Sequence, residues 1–433
     1  MKRALCIAAV IFACGCGNSP LRFRMDVNRD IAAGNFDSAA SRIEAQQNKI
    51  YREKDSLLYN LDLGAVQHDG GRPDDSDANF ASAQQKIEDA TRSVTQNAAR
   101  VLKNDLTVAY QARDYERSLT FVYRALNFLD RDNLQGALVE ARKAVFFLDQ
   151  LRRNKTSGYN DDPFVQFFAS LVFESGGFLS DARISRANSL DAYARFASFQ
   201  NVPAPSFNVP SNADRMGEII FIHYNGLAPL LVSRTMQVAW NDAIFTVGAT
   251  SELYSEQPAV QNALMAGFLG NAVTIAYPVL TAVPYNIRSS SVEVDGAPQD
   301  TVLMHDIGAV VRQDLSERMP GIYARMIARA VIKQVLNNTA RNAVSKATKD
   351  DNWGALAGMV FSAFAAATER ADTRLWFTIP AEIRMTRIFV PPGTHNIVFK
   401  AYDGNGALVE TQDFRQIDIQ AGERKFMHYR TGK

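Results

Sequence analysis

The stretch Val202-Pro203-Ala204-Pro205-Ser206-Phe207-Asn208-Val209-Pro210 divides this chain more sharply than any other. Its prolines remove backbone donors and clash with a continuing helix, so no helix runs through it. Ahead of it the residue pattern is helical, and behind it short β-rich runs separated by turn residues accumulate. A length of 433 residues is enough for about three domains. The expected fold class is multidomain α+β. Residues 23–200 read as an N-terminal α-helical tetratricopeptide-like solenoid and residues 201–215 as a Pro-rich linker. Residues 216–372 read as a mixed α/β domain with long helices, and residues 373–433 as a small C-terminal β-sandwich.

All three cysteines, Cys6, Cys14 and Cys16, lie at the N-terminus. Met1-Lys2-Arg3 is a short basic segment, and the apolar run over residues 4–13 is too short to cross a hydrocarbon core of about 30 Å. Residues 1–15 therefore read as a processed export signal. Ala13-Cys14-Gly15-Cys16 resembles a bacterial lipobox, with small residues before a cysteine that becomes the acylated N-terminus. Cys16 is the expected lipidation site and residues 16–22 the tether, with Cys14 as a second frame. More than one acyl chain makes such an anchor stable. The body beyond Cys16 has no cysteine, as suits an oxidising compartment in which the fold needs no disulfide. Gly17 follows Cys16, where an inner-membrane retention signal would place Asp, so the expected location is the outer membrane, facing the periplasm.

Within the helical half one local pattern recurs: a polar or small turn, a large residue, two residues, then Ala. Gly34-Asn35-Phe36 leads to Ala39, Ala78-Asn79-Phe80 to Ala83, Asp132-Asn133-Leu134 to Ala137, and Gly177-Phe178-Leu179 to Ala182. In tetratricopeptide-like repeats the large residue plugs a groove between paired helices and the Ala lets them approach. The spacings of the alanines, 44, 54 and 45 residues, exceed the regular repeat of about 34. Longer helices or inserted loops account for the excess, and residues 70–75 and 154–163 read as such loops.

Beyond the linker, residues 218–224 (Glu-Ile-Ile-Phe-Ile-His-Tyr) read as a largely buried strand closed by Asn225-Gly226, and residues 292–295 as another strand. Helices are expected over residues 305–317 and 321–344. Residues 257–287 carry no charge, but Pro278 and Pro284 interrupt them, so a buried helix followed by strands is expected in place of a membrane span. Residues 353–367 read as a core helix. After Asp372, strands are expected over residues 375–379, 383–389, 396–402, 408–411 and 424–429, with Asp403-Gly404-Asn405-Gly406 as a hairpin turn.

A formal net charge of +1 gives no basic surplus for phosphate, so nucleic acid is not an expected partner. No HExxH, GxSxG, Walker or dinucleotide fingerprint occurs in the sequence. The histidines His68, His223, His305, His395 and His428 show no helical i, i+3 or i, i+4 pair, so neither a metal nor a cofactor is expected. His223, near a strand end, is the best catalytic candidate, although a hydrogen-bonded histidine shaping a turn is the commoner situation. His305-Asp306 would be an imidazole beside its orienting carboxylate, and Arg374 with Trp376 would share a strand face as a cation–π pair.

Several stretches resemble a family of bacterial lipoproteins with tetratricopeptide-like helices. They include Gly136-Ala137-Leu138-Val139-Glu140-Ala141-Arg142-Lys143-Ala144, Ile222-His223-Tyr224-Asn225-Gly226-Leu227-Ala228-Pro229, Ala371-Asp372-Thr373-Arg374-Leu375-Trp376 and Pro391-Pro392-Gly393-Thr394-His395. The resemblance spans residues 110–430 and brings no established activity. Its members are often encoded beside the lipoprotein activator of a bifunctional penicillin-binding protein, which implies a role near peptidoglycan synthesis. The expected function is a non-enzymatic, lipid-anchored envelope scaffold. Its partners would be the membrane, through the anchor, and envelope proteins, through the helical repeats. The alternatives are an envelope hydrolase or glycan-modifying enzyme using His223, and an assembly subunit of a secretion or surface-filament complex.

Overall fold

The computed structural model describes residues 20–93, 108–154, 158–195, 202–239, 272–348 and 370–433. Cys16, the expected export signal, the helix expected over residues 353–367 and the front of the 257–287 stretch, where a buried helix is expected, lie outside the described residues. The chain is mixed helix and sheet, with helices in its N-terminal part and strands toward its C-terminus.

Before the linker come α1 (Pro20–Ala32), α2 (Phe36–Glu44), α3 (Ser56–Asp69), α4 (Pro73–Ser93), α5 (Asp114–Leu129), α6 (Leu134–Asn154), α7 (Pro163–Ser175) and α8 (Leu179–Arg195). Each packs on the next in sequence. Four of the turns between them pass through a left-handed residue: Gly34, Gly71, Asp132 and Gly177, at φ of +73°, +70°, +55° and +75°. A residue of this kind ends a helix and sends the chain back. A Cβ at Gly34, Gly71 or Gly177 would meet nothing within 4 Å, so backbone conformation alone selects glycine there. α7 is buried on every side from Pro163 to Phe173, with Gln166 and Ser170 on one otherwise apolar face. Asp162 caps it by accepting from Val165 N at 2.9 Å, with Pro163 pre-set for the first turn.

The small residues of the recurring pattern all pack inside: Ala39, Ala83 and Ala137 are fully buried, as Ala182 nearly is. The large ones divide. Phe80 is fully buried and Phe36 and Leu134 pack partly against the core, but Leu179 is 60% exposed. Leu179 opens α8 facing outward and plugs no groove. Ala78-Asn79 is not a turn either, because it lies inside α4, which begins at Pro73 after the Gly71 turn. Residues 73–75, expected as loop, are thus the first turn of that helix.

The strands are β1 (Gly217–Asn225), β2 (Leu230–Ala239), β3 (Ala272–Thr281), β4 (Ile287–Val294), β5 (Ala297–Asp300), β6 (Val302–Asp306), β7 (Glu382–Val390), β8 (Gly393–Asp403), β9 (Leu408–Ile419) and β10 (Arg424–Thr431). One sheet has the order β10-β1-β7-β6, a second β5-β4-β8-β9, and β2 pairs with β3. β1 is buried along its whole length. Its Ile220, Ile222 and Tyr224 join the core shared with the helices, while Ile219 and Phe221 join a second core with Val292, Ile397 and Phe399. Burial on both faces explains the near-continuous apolar run of this strand.

Residues 373–433 therefore form no sandwich of their own. β7 and β10 flank β1, and β8 pairs with β4, so both four-stranded sheets draw on either side of the boundary expected at 372/373. The linker is not a loose tether: Val202 is buried and the Phe207 ring packs with its centroid 5.6 Å from that of Phe167. The two helices expected over residues 305–344 are one, α9 (Ile307–Thr348), which carries Pro320 within it, while His305 and Asp306 close β6. No described helix is long and apolar enough to cross a membrane.

Residues 375–379, expected as a strand, join no sheet. They are buried against the helices. Arg24 Nη1 donates to Thr373 O at 2.7 Å, and Arg374 reaches Asp55 at 2.6 Å. Trp376 N donates to Glu116 Oε1 at 3.2 Å and Phe377 N to Asp62 Oδ1 at 3.3 Å. The Trp376 ring lies 5.8 Å from Phe80 and 5.7 Å from Tyr123. Arg374 does not pair with Trp376; its guanidinium is 5.8 Å from the Tyr110 ring and bridges Asp55 and Asp372. Burial pushes Asp62 up to about 8, against the hydrogen bonds of Tyr51 and Thr378 and the charge of Arg24.

Trp376→Ala empties a site among Phe80 and Tyr123, and a loss of about 3–5 kcal/mol is expected, read as a lower urea midpoint; an unmoved midpoint contradicts the packing described. Asp62 favours its protonated form in the fold, so its contribution is complete near pH 4 and fades as pH rises to about 8. The stability of the wild type relative to Asp62→Asn should accordingly fall over that range and level off above it. A difference independent of pH would contradict the burial of this carboxyl.

Candidate functional site

α3 is buried on nearly every side, which is uncommon for a helix that ends in Gln67-His68-Asp69. Its last turn meets the end of α5 and the inner face of the first sheet. On β10 the alternation of a strand turns Phe426, His428 and Arg430 toward the helices, and Phe426 belongs to the core shared with them. Tyr224 of β1, Tyr123 of α5 and Asp130 just beyond α5 complete the group.

His68 and His428, far apart in sequence, stack with ring centroids 4.1 Å apart and planes 16° from parallel. His428 Nε2 donates to Asp130 Oδ2 at 3.0 Å. A chain of hydrogen bonds fixes the His68 tautomer. Ser76 Oγ donates to Gly64 O at 2.8 Å, so it accepts from Asn127 Nδ2 at 2.8 Å. Asn127 then presents Oδ1 to His68 Nδ1 at 2.7 Å, which places the proton of the neutral ring on Nδ1. His68 Nε2 keeps its lone pair and makes no hydrogen bond among the described residues.

Beside these rings, Asp69 is wholly buried with neither oxygen hydrogen-bonded among the described residues, and its closest cation is Arg430 Nε at 3.8 Å. The hydroxyls of Tyr123 and Tyr224 likewise find no partner there. Burial pushes Asp69 up to about 6, against the charges of Arg430 and His428. Burial and the neighbouring His428 take His68 down to about 3, so its ring is neutral at ordinary pH. Burial works to raise Asp130, but the hydrogen bond from His428 and the charges of His428 and Lys425 together outweigh it and hold the carboxylate below its usual range. Asp130 also lines a cleft of about 400 Å³ with Leu134, Lys425 and Phe426. Two imidazoles and a carboxylate at such separations can hold a metal ion.

His223, His305 and His395 lie apart from this cluster and make hydrogen bonds within the fold. His223 is fully buried, its two nitrogens met by Ser290 Oγ at 2.9 Å and Thr431 Oγ1 at 2.8 Å, and its ring set 4.7 Å from Phe399. Burial and the nearby Arg384 hold its pKa well below the usual value. No carboxylate orients it. His305 Nε2 donates to Asp162 Oδ2 at 2.8 Å, whereas the adjacent Asp306 caps α9 through Ala309 N at 2.7 Å. The two neighbours thus serve different elements. His395 closes a turn between Asp295 Oδ2 at 2.7 Å and Pro391 O at 2.8 Å.

No protein-family model, curated protein or solved structure matches this chain. Its function has to be carried by the geometry.

Sequence spacing brings none of the cluster together, since His68 and His428 meet only through the docking of β10 beside β1. One local signal was present: polar residues set among the apolar residues of a buried helix, as Asp62 and His68 are in α3. His223→Ala should cost about 1–3 kcal/mol, because it strips the Ser290 and Thr431 hydroxyls of a partner, measured by chemical denaturation. Unchanged stability together with loss of a glycan-releasing activity would instead make His223 catalytic.

Proposed function

We propose that the chain is a lipid-anchored cell-envelope scaffold whose helical half captures a protein of the peptidoglycan-synthesis machinery. The observation that carries this reading is the distribution of apolar surface on the helices. The groove that a repeat array would offer to an extended peptide is filled by the chain's own residues 371–379, anchored on Asp62 and Glu116. Large apolar side chains stand exposed elsewhere: Phe146 of α6 is 63% exposed and Ile184 of α8 is 59% exposed. Val139, Phe178 and Leu190 add to them, and Arg142 of α6 lies 4.6 Å over the ring of Phe178 in the turn before α8. Large exposed apolar side chains are what a partner protein buries.

The sequential packing of α1 to α8, with a buried Ala on each of α2, α4, α6 and α8, supports the reading of repeats. The basic and apolar N-terminus with its lipobox-like Cys16 supports the anchor. The link to wall synthesis rests on the family resemblance, and that resemblance names the partner to look for: a penicillin-binding protein or its lipoprotein activator.

Crosslinking in native membranes should recover that partner with the wild-type chain. The double variant Phe146→Glu, Ile184→Glu should lose it while its thermal midpoint stays put, since surface changes usually move stability by no more than about 0.5 kcal/mol each. Capture that survives both charges would refute this surface. Cys16→Ser should release the protein from the membrane fraction, whereas Cys14→Ser should leave it bound; the reverse pattern would move the lipidation site to Cys14.

A further inference from the structure

We propose that His68, Asp130 and His428 form a binding site for one divalent transition-metal ion of the zinc class, which ties the helices to the first sheet. One ligand atom from each residue already lies within 4.8 Å of the other two. Around a tetrahedral ion with bonds of about 2.0–2.2 Å, ligand atoms sit roughly 3–4 Å apart, so modest rotations of the side chains complete the site.

Three further features point to an ion. His68 Nε2 is buried, carries a lone pair, and has no hydrogen-bond partner among the described residues. A buried acceptor left in this way costs free energy that coordination would recover. The Ser76–Asn127 chain fixes the opposite ring nitrogen as a donor, as the outer partner of a metal-bound imidazole usually does. Asp130 opens on the cleft beside Leu134 and Lys425, which gives an ion a path from solvent.

The donor set selects the ligand. Two imidazole nitrogens and one carboxylate oxygen suit Zn²⁺, Co²⁺ or Ni²⁺ over Mg²⁺ or Ca²⁺, which favour all-oxygen sites. Three protein ligands leave a position for water. The parallel rings must tilt apart so that both lone pairs reach one ion, and the ion would take the place of the proton that His428 Nε2 shares with Asp130. The ligands come from the last turn of α3, the residue after α5 and β10. An ion held by all three binds only the docked arrangement and therefore stabilises it. This inference does not depend on the identity of any protein partner.

The test uses the full chain extracted in detergent, stripped with a chelator and titrated with Zn²⁺ in competition with a chromophoric chelator. One Zn²⁺ per chain is expected, with a thermal midpoint that rises with free Zn²⁺ and is unmoved by Mg²⁺. Asp130→Ala, at the exposed edge of the site, and His428→Gln should each weaken Zn²⁺ at least about tenfold while keeping the far-ultraviolet spectrum of the folded chain. Co²⁺ substitution should give a visible d–d band that both variants lose. Absence of stoichiometric Zn²⁺ binding, or binding equally tight in both variants, would overturn the proposal.

Discussion

A segment that belongs to no sheet has to find partners for its backbone elsewhere, and Trp376 and Phe377 find them on the buried acidic side chains of Glu116 and Asp62. Glu116 accepts from Trp376 N while it also accepts from Arg113 N at the start of α5 and from the Tyr110 hydroxyl. Asp62 accepts from Phe377 N and Tyr51 Oη and, with its main-chain carbonyl, from Thr378 Oγ1. Burying a carboxylate is expensive unless several donors surround it. Here the donors come from both the helices and the segment, so neither half satisfies these groups alone. Trp376, fully buried among Phe80 and Tyr123, adds the apolar part of the same contact.

The remaining seams between helices and strands follow the same logic. Asp162 caps α7 and accepts from His305 of β6, and Tyr193 of α8 donates to the carbonyl of Met304 at 2.7 Å. Glu218 at the start of β1 pairs with Arg387 and Arg424, and both arginines also approach Glu174 at the end of α7. Polar groups of this kind specify how layers meet more than they add to stability. The His68–His428 stack sits on the same seam. With one side of the helices covered by the chain's own residues, the proposed partner surface is placed on the exposed side chains of α6 and α8.

Much of this fold was legible from residue pattern because local rules decide it. The helix turns at Gly34 and Gly177 and the strands around Ile220, Phe399 and Phe426 follow from left-handed glycine and from β-rich apolar runs. What failed did so for non-local reasons. Residues 375–379 carry strand-like composition, but the backbone partners of Trp376 and Phe377 are helix side chains from far earlier in the chain. β10 lies parallel to β1 across some two hundred residues of sequence, so the expected boundary at 372/373 had no local sign against it. Leu179 and the Asn79-Phe80 pair matched a repeat signature by composition, while their exposure and helical position depend on neighbours that the signature does not contain. Of the site, only the polar residues embedded in α3 could have been noticed. His428 is ordinary in its strand until β10 is placed beside β1.

The central claim is that residues 371–379 are part of the helical core and no exchangeable occupant of a groove. Native-state hydrogen exchange at the amides of Trp376 and Phe377 tests it most directly, because those two hydrogens go to Glu116 and Asp62. The account requires them to exchange only with global unfolding, at the same free energy as the central amides of α5 and α7. If they exchange through a local opening while α5 and α7 remain protected, the segment is a detachable strap, and the groove beneath it becomes the place to look for a partner.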